Sequence, residues 1–388
     1  MKFRKDKWER VRLGDVCEKV TNVDIRKQSG TFNYIDIGSI DSSLKRVLEV
    51  QVLDWQNASS RARQIVKQGD TLFSTVRINL EKIAFLDKEF SNAIASTGFT
   101  VIRANRKAIA NFLFYSIISP ELIDKLCKLQ KGTAYPAVTD KIVFDQEILL
   151  PPLEEQKQIA TLFQSLENAI EQVESQEKNL KALQKKLSSS LISRNPIFGN
   201  LLTDKNCNLC TFEDITNCVE KHDKKPLENG ITRFIGLEFI EAENFNLQGF
   251  GEIEKGTTFT KCFLKNDVLF GKRRAYLKKV AVADFDGICS GDILVFRAKK
   301  EKMLPELLPY YVSSDAFIQH AVKTSAGSLS PRTKWKDLKE FKISIPDLKI
   351  QKKIAEIFQQ LQLTLNQLTQ QKINLKNLKQ KLLSEILG

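Results

Sequence analysis

Pro151-Pro-Leu-Glu-Glu-Gln-Lys-Gln-Ile-Ala160 returns 195 residues later as Pro346-Asp-Leu-Lys-Ile-Gln-Lys-Lys-Ile-Ala355. The match extends both ways without a gap. Upstream, Ser119 meets Ser314, Gly132 meets Gly327, Pro136 meets Pro331 and Ile148 meets Ile343. Downstream, Phe163 meets Phe358, Leu180 meets Leu375 and Leu187 meets Leu382. Further upstream the match loosens. At a shift of 197, Asp70-Thr-Leu-Phe73 falls on Asp267-Val-Leu-Phe270, Arg77 on Arg274 and Lys82 on Lys279. At a shift of 194, Ser96, Val101 and Arg103 fall on Ser290, Val295 and Arg297. A drifting offset means loops of different length. Solenoid repeats run about 20–45 residues, so this longer period means two copies of a whole domain unit.

After each Pro-bounded lead-in the sequence turns helical. Apolar residues fall at Ile159, Phe163, Leu166, Ile170, Val173, Leu180, Leu187 and Leu191, and again at Ile354, Phe358, Leu361, Leu365, Leu368, Leu375, Leu382 and Ile386. The spacing alternates between four and three, the seam of a coiled coil. Glu177 and Gln184, matched by Lys372 and Lys379, interrupt the seam at shared positions, where polar residues set register and partner. The front of each copy reads as short β-type runs, such as Tyr34–Ile37, Asp70–Phe73, Phe99–Ile102 and Ile293–Phe296, punctuated by Gly, Asn and Asp. A helical stretch near Asn111–Leu129 follows in the first copy.

The expected fold is α+β. Two similar mixed α/β domains, residues 1–150 and 195–345, are separated by two long antiparallel coiled-coil helices, 151–194 and 346–388, with a pseudo-twofold relation. The spacing leaves open a helix that packs only on its own domain, or one that pairs between two chains.

Lysine and arginine number 60 against 47 acidic residues, for a net charge of +13. That sign favours a polyanionic partner, nucleic acid before an anionic membrane surface. No stretch reaches the roughly 18 apolar residues of a spanning helix, and Met1–Trp8 lacks the apolar core of a signal peptide. Seven scattered cysteines fit reduced thiols in the cytoplasm.

Two copies of unlike sequence suit a two-part DNA site, each copy reading its own half. Gly271-Lys-Arg-Arg-Ala-Tyr-Leu-Lys-Lys279 carries five positive charges: Lys272, Arg273, Arg274, Lys278 and Lys279. Its counterpart is Ser74-Thr-Val-Arg-Ile-Asn-Leu-Glu-Lys82. The shared cations Arg77/Arg274 and Lys82/Lys279 are expected to anchor the DNA backbone. The unlike pair Asn79/Tyr276 is expected to choose bases. A second candidate loop is Gly132-Thr-Ala-Tyr-Pro136, with Tyr135, matched by Gly327-Ser-Leu-Ser-Pro-Arg-Thr-Lys334, with Arg332 and Lys334. For both loops a plain, solvated turn is the competing account.

Catalytic signatures are missing. There is no phosphate-binding Gly-x-x-x-x-Gly-Lys-Ser/Thr loop, no Gly-x-Gly-x-x-Gly and no methyltransferase tetrapeptide. Cys207-Asn-Leu-Cys210 has zinc-like spacing but no second pair, and only His222 and His320 exist to help. No metal, no cofactor and no catalytic residue are therefore expected.

The chain resembles the specificity subunits of type I restriction–modification systems. The resemblance rests on Pro151–Ala160, Gln351–Ala355, Phe270–Ala283, Ile94–Phe99 and the opening Trp8–Asp15. It implies two target recognition domains that read double-stranded DNA. It implies docking of two methyltransferase subunits and then of restriction subunits. S-adenosylmethionine and the chemistry would belong to those partners. Asp347 and Lys349 depart from the Pro and Glu of the first lead-in, which bears on the symmetry of docking. A coiled-coil scaffold and a homodimeric DNA-binding protein remain the alternatives.

Overall fold

The computed structural model describes residues 3, 5–193, 196–203 and 206–388, so the expected boundary at 194/195 lies outside the described residues. The chain divides into two compact units: Met1–Glu174 with Gln370–Gly388, and Ser175–Thr369.

In the first unit, Phe99–Ile102, Thr71–Ser74 and Ile83–Phe85 pair antiparallel with Thr71–Ser74 in the middle. The middle strand is buried along its whole length. Strand alternation sends Phe73 and Leu72 into different cores. A second sheet runs in the order Gln51–Asp54, Thr31–Ile35, Ala93–Ser96, Ala62–Ile65, with one parallel pairing, Asn33–Ile35 beside Ala93–Ala95. Glu9–Arg12 pairs with Glu147–Leu150 beside the helix lead-in.

The second unit repeats this plan. Thr216–Cys218, Ile293–Ala298, Val268–Gly271 and Val280–Val282 form one sheet, and Gly251–Glu252, Arg233–Ile235, Gly287–Cys289 and Lys261–Phe263 the other. Its parallel pairing is again between the equivalent strands, Phe234–Ile235 beside Ile288–Cys289. Cys207–Thr211 pairs with Lys342–Pro346. Phe270 and Leu269 divide between two cores as Phe73 and Leu72 do.

The helical stretch expected over Asn111–Leu129 is two helices, Ala110–Ile117 and Pro120–Leu129. Ser119 is extended, as a residue before proline prefers, and Pro120 has no N–H to continue the first helix. In the second unit Ser314 stands at the same break and caps the Phe317 amide. The strand expected over Tyr34–Ile37 spans Thr31–Ile35, because the Asp36 carboxylate caps a 3-10 turn over Ile37–Ser39.

The central helix is Leu153–Ser193, 41 residues, and the second long helix is Leu348–Leu387, 40 residues. Each begins in one unit and continues into the other. Within the first unit, Ile159, Ala160 and Phe163 share a core with Leu383 and Ile386. Lys379 reaches Glu167 at 2.5 Å and Lys376 reaches Glu174 at 2.8 Å. Those pairings ascend one helix and descend the other, so the segments run antiparallel. Within the second unit, Leu187 and Leu191 share a core with Ile354, Phe358, Leu361 and Leu365.

The seam positions are unequally buried. Phe163, Ile170, Val173, Leu187, Phe358, Leu361, Leu365 and Leu368 are buried, whereas Leu166, Leu180, Leu375 and Leu382 are half-buried. Near the helix ends the stripe widens. Ser188 and Ser190 are buried beside Leu187 and Leu191, and Leu383, off the heptad, is more buried than Leu382. There the helix covers a globular core as well as its partner helix, which needs a broader apolar face.

Buried Gln156 and Gln351 explain why the lead-in repeats. Gln156 Oε1 accepts from the Ile109 amide at 2.8 Å, and its Nε2 donates to the carbonyls of Pro151 and Lys107. Gln351 does the same with Leu304, Pro346 and Lys302. Each amide side chain thus satisfies backbone groups of two other segments and fixes the globular part to the start of its helix.

Candidate nucleic-acid interface

The charged run that links Thr71–Ser74 to the edge strand Ile83–Phe85, and Val268–Gly271 to the edge strand Val280–Val282, is an unusual turn with the same backbone in both units. Arg77 and Glu81 have φ of +50° and +47°, and Arg274 and Lys278 have φ of +54° and +51°. These left-handed residues bracket short 3-10 turns, Ile78–Leu80 and Ala275–Leu277. Such backbone costs about 1–3 kcal/mol per non-glycine residue and persists only where the surroundings over-determine it. Here they do. Ile78 and Ala275 are buried under the turn, and the Ile78 amide donates to Gln130 Oε1 at 2.9 Å. With these residues facing in, Asn79 and Leu80 face out, as do Tyr276 and Leu277.

The second candidate loop lies against this turn in both units. The Arg77 amide donates to the Pro136 carbonyl at 2.8 Å and the Arg274 amide to the Pro331 carbonyl at 2.8 Å. Bridges join Val76 to Ala137 and Arg273 to Arg332. Gly132 and Gly327 turn the loop at φ of +102° and +110°, a conformation open mainly to glycine. The loop tips stand in solvent, with Tyr135 69% exposed and Leu329 88% exposed. The structure therefore unites the two sequence candidates into one patch per unit.

Within each patch the shared cations bond carbonyls of their own chain, although Arg77 itself is exposed. Arg77 Nη2 donates to the Ala134 carbonyl at 3.2 Å and its guanidinium lies 4.6 Å from the centre of the Tyr135 ring. Arg274 Nη2 donates to the Leu329 carbonyl at 3.2 Å. Lys82 donates to the Ile40 carbonyl and Lys279 to the Leu237 carbonyl. All four cations tie loops together, so their repetition has a structural cause. Lys278 bonds Asp315 at 2.6 Å. Burial disfavours its charge, but Asp315 outweighs burial and the pKa is raised. Its counterpart Glu81 instead meets Lys45 at 2.6 Å.

The outward side chains differ between units. The second unit offers Tyr276, Lys272, Arg273, Arg332 and the exposed Lys334. The equivalents of Lys272, Arg273, Arg332 and Lys334 in the first are Thr75, Val76, Ala137 and Thr139, so its exposed polar groups include Asn79, Tyr135, Thr133, Thr139 and Arg77. Asp292, which no sequence pattern marks, lies between Arg273 and Arg332. It is 19 residues from one and 40 from the other, so no local spacing announces it.

Among the described residues, no group of three or more His, Cys, Asp and Glu side chains is arranged to hold a metal. His222 Nδ1 lies 2.9 Å from Thr260 Oγ1, and burial pushes the Cys210 thiol up to about 11. No helix is long and apolar enough to cross a membrane, among the same residues.

Comparison with known proteins matches the repeat. A family model described as the type I restriction modification DNA specificity domain fits residues 5–182 and again 213–377. The type I restriction enzyme HindI specificity subunit of Haemophilus influenzae is 26% identical over 168 residues, 42% of this chain and 36% of that protein. The MjaVIII specificity subunit of Methanocaldococcus jannaschii is 26% identical, across 90% of this chain and 84% of its own length. Among solved structures, the HsdS subunit from Thermoanaerobacter tengcongensis superposes with a TM-score of 0.51 at 25% identity, covering 98% of this chain and 96% of that one.

Proposed function

The chain belongs to the type I restriction–modification DNA specificity family, and from that premise we propose that it reads a two-part DNA target and has no catalytic chemistry of its own. Each unit reads one half of the target with its paired-loop patch, the recognition domains being residues 1–150 and 195–345. The helices over 151–194 and 346–388 dock two methyltransferase subunits, and the restriction subunits join through them. All of this takes place in the cytoplasm.

The observation that carries this reading is the contrast inside each patch. The backbone-pinning residues repeat between units, whereas the outward residues do not. A scaffold of paired helices gives no reason for one loop frame to carry two different exposed chemistries. Two readers of different half-sites do. Tyr276, Asn79 and Tyr135 are the candidates for base contact, and Lys272 and Lys334 the candidates for phosphate.

The test is methyl transfer from S-adenosylmethionine to DNA by the methyltransferase subunit alone, this chain alone, and the two together. Transfer by the pair and by neither component supports the reading. Transfer by this chain alone would make it an enzyme. An assembled pair that transfers no more than the methyltransferase by itself would leave only the scaffold.

A further inference from the structure

In the second unit, Asp292 holds two arginines at the outer face of the patch. Arg332 approaches it side-on, with Nε 2.7 Å from Oδ1 and Nη2 3.3 Å from Oδ2. Arg273 Nη1 lies 3.4 Å from Oδ2. The backbone sets the trio: Arg273 and Arg332 face each other across a β-bridge, and the Lys272 amide donates to the Asp292 carbonyl at 2.9 Å. Both guanidinium groups remain nearly half exposed, at 43% and 46%, while Asp292 is 21% exposed.

This geometry fixes what the pair can bind. A side-on bond uses Nε and Nη2 and leaves the Nη1/Nη2 end of Arg332 without a carboxylate. Among the described residues its one further side-chain hydrogen bond is a long one, Nη1 to the Ser330 carbonyl at 3.4 Å. The free end offers two parallel N–H groups on a side chain whose rotamer is already held. In the DNA major groove that fork matches the O6 and N7 acceptors of guanine. Phosphate is the poorer ligand here, because Asp292 repels an anion at the same spot while a guanine edge is neutral. Asp292 itself is the poorer candidate to accept from cytosine, since three of its roughly four lone-pair sites already face arginines.

From this we infer that Arg332, positioned by Asp292, selects a guanine in the half-site read by the second unit. The inference rests on the DNA-reading role proposed above. The first unit cannot make this contact. Its equivalents of Arg273, Arg332 and Asp292 are Val76, Ala137 and Gly98.

The experiment compares the methylated motif made in a methylation-free host by the chain with its methyltransferase, for wild type, Arg332→Ala, Arg332→Lys and Asp292→Asn. Arg332→Lys keeps the charge and removes the fork, so it covers a folding failure of the alanine variant. Expected is a split wild-type motif with a guanine in one half. In both Arg332 variants that position alone becomes degenerate, by roughly tenfold in preference or more, and the other half is unchanged. Asp292→Asn shows the same change in weaker form. An unaltered motif in assembled Arg332→Lys complexes overturns the inference, as does a uniform loss of methylation on all sequences, which a phosphate or purely structural role predicts. A wild-type complex that gives no split motif would instead overturn the DNA-reading role.

Discussion

Asp70 and Asp267 are buried carboxylates, the first gripped by an arginine just past the end of the neighbouring strand Phe99–Ile102 and the second by one within Ile293–Ala298. Arg103 places Nε and Nη2 2.8 and 2.7 Å from Asp70, and Arg297 stands 2.7 and 2.6 Å from Asp267. The carboxylates also cap loop amides, those of Lys67 and Leu264, at 2.8 Å. Breaking such a pair leaves a buried charge uncompensated. Arg103→Ala is therefore expected to destabilise the first unit by about 3–5 kcal/mol, read from denaturant unfolding. A change below about 1 kcal/mol would mean that the pair is effectively a surface contact. The Asp292 carboxyl behaves differently because it is part of the exposed patch. The Arg332 hydrogen bond holds its pKa below the ordinary 3.8. A lowered folded pKa means that the ion pair contributes fully above the unfolded value and is lost as pH falls through the folded one. Sequence preference of the assembled complex is thus expected to stay constant from about pH 6 to 8. A shift within that window would point to another titrating group. At this scale the sequence was informative about residue type and weak about direction. Repetition of Arg77/Arg274 and Lys82/Lys279 marks them as important, but only the fold shows that they bind carbonyls of their own chain.

The long helices were the most legible elements, because a heptad seam leaves a periodic signal that survives substitution. What spacing could not show is where the seam stops being a seam. Phe358 is fully buried and its ring stacks on Tyr310, with centroids 3.8 Å apart. Phe163 meets Tyr115 at 4.9 Å in the equivalent place. Leu375 belongs to the same seam but is only half-buried. Phe358→Ala is expected to cost about 3–5 kcal/mol and Leu375→Ala about 1 kcal/mol or less, compared by unfolding midpoint. Equal losses would mean that both positions belong to one uniform helix interface. The strands were legible where both neighbours are apolar, as over Thr71–Ser74. They were not legible in the edge segments, where exposed residues such as Val52 break the alternation. The two left-handed turns were invisible, since arginine, glutamate and lysine carry no signal for positive φ.

For the molecule as a whole, the repeat decided the reading. It was visible because one chain contains both copies and the lead-in sequence changed little between them. Target choice was the least legible property. It depends on contacts such as Asp292 with Arg332, which only folding brings together. The surplus charge makes a separate expectation. Affinity for DNA should fall linearly with salt on logarithmic axes, and Lys272→Ala and Lys334→Ala should each reduce the slope by about one unit. An unchanged slope in both would remove these lysines from the phosphate contacts. The most direct test of the central claim is a map of methylated sites in a methylation-free host that makes this chain with its methyltransferase, set against the methyltransferase alone. The account predicts a new motif of two short specified parts around an unspecified spacer, seen only when the chain is present. A continuous motif, or the same sites with and without the chain in an assembled complex, would contradict it.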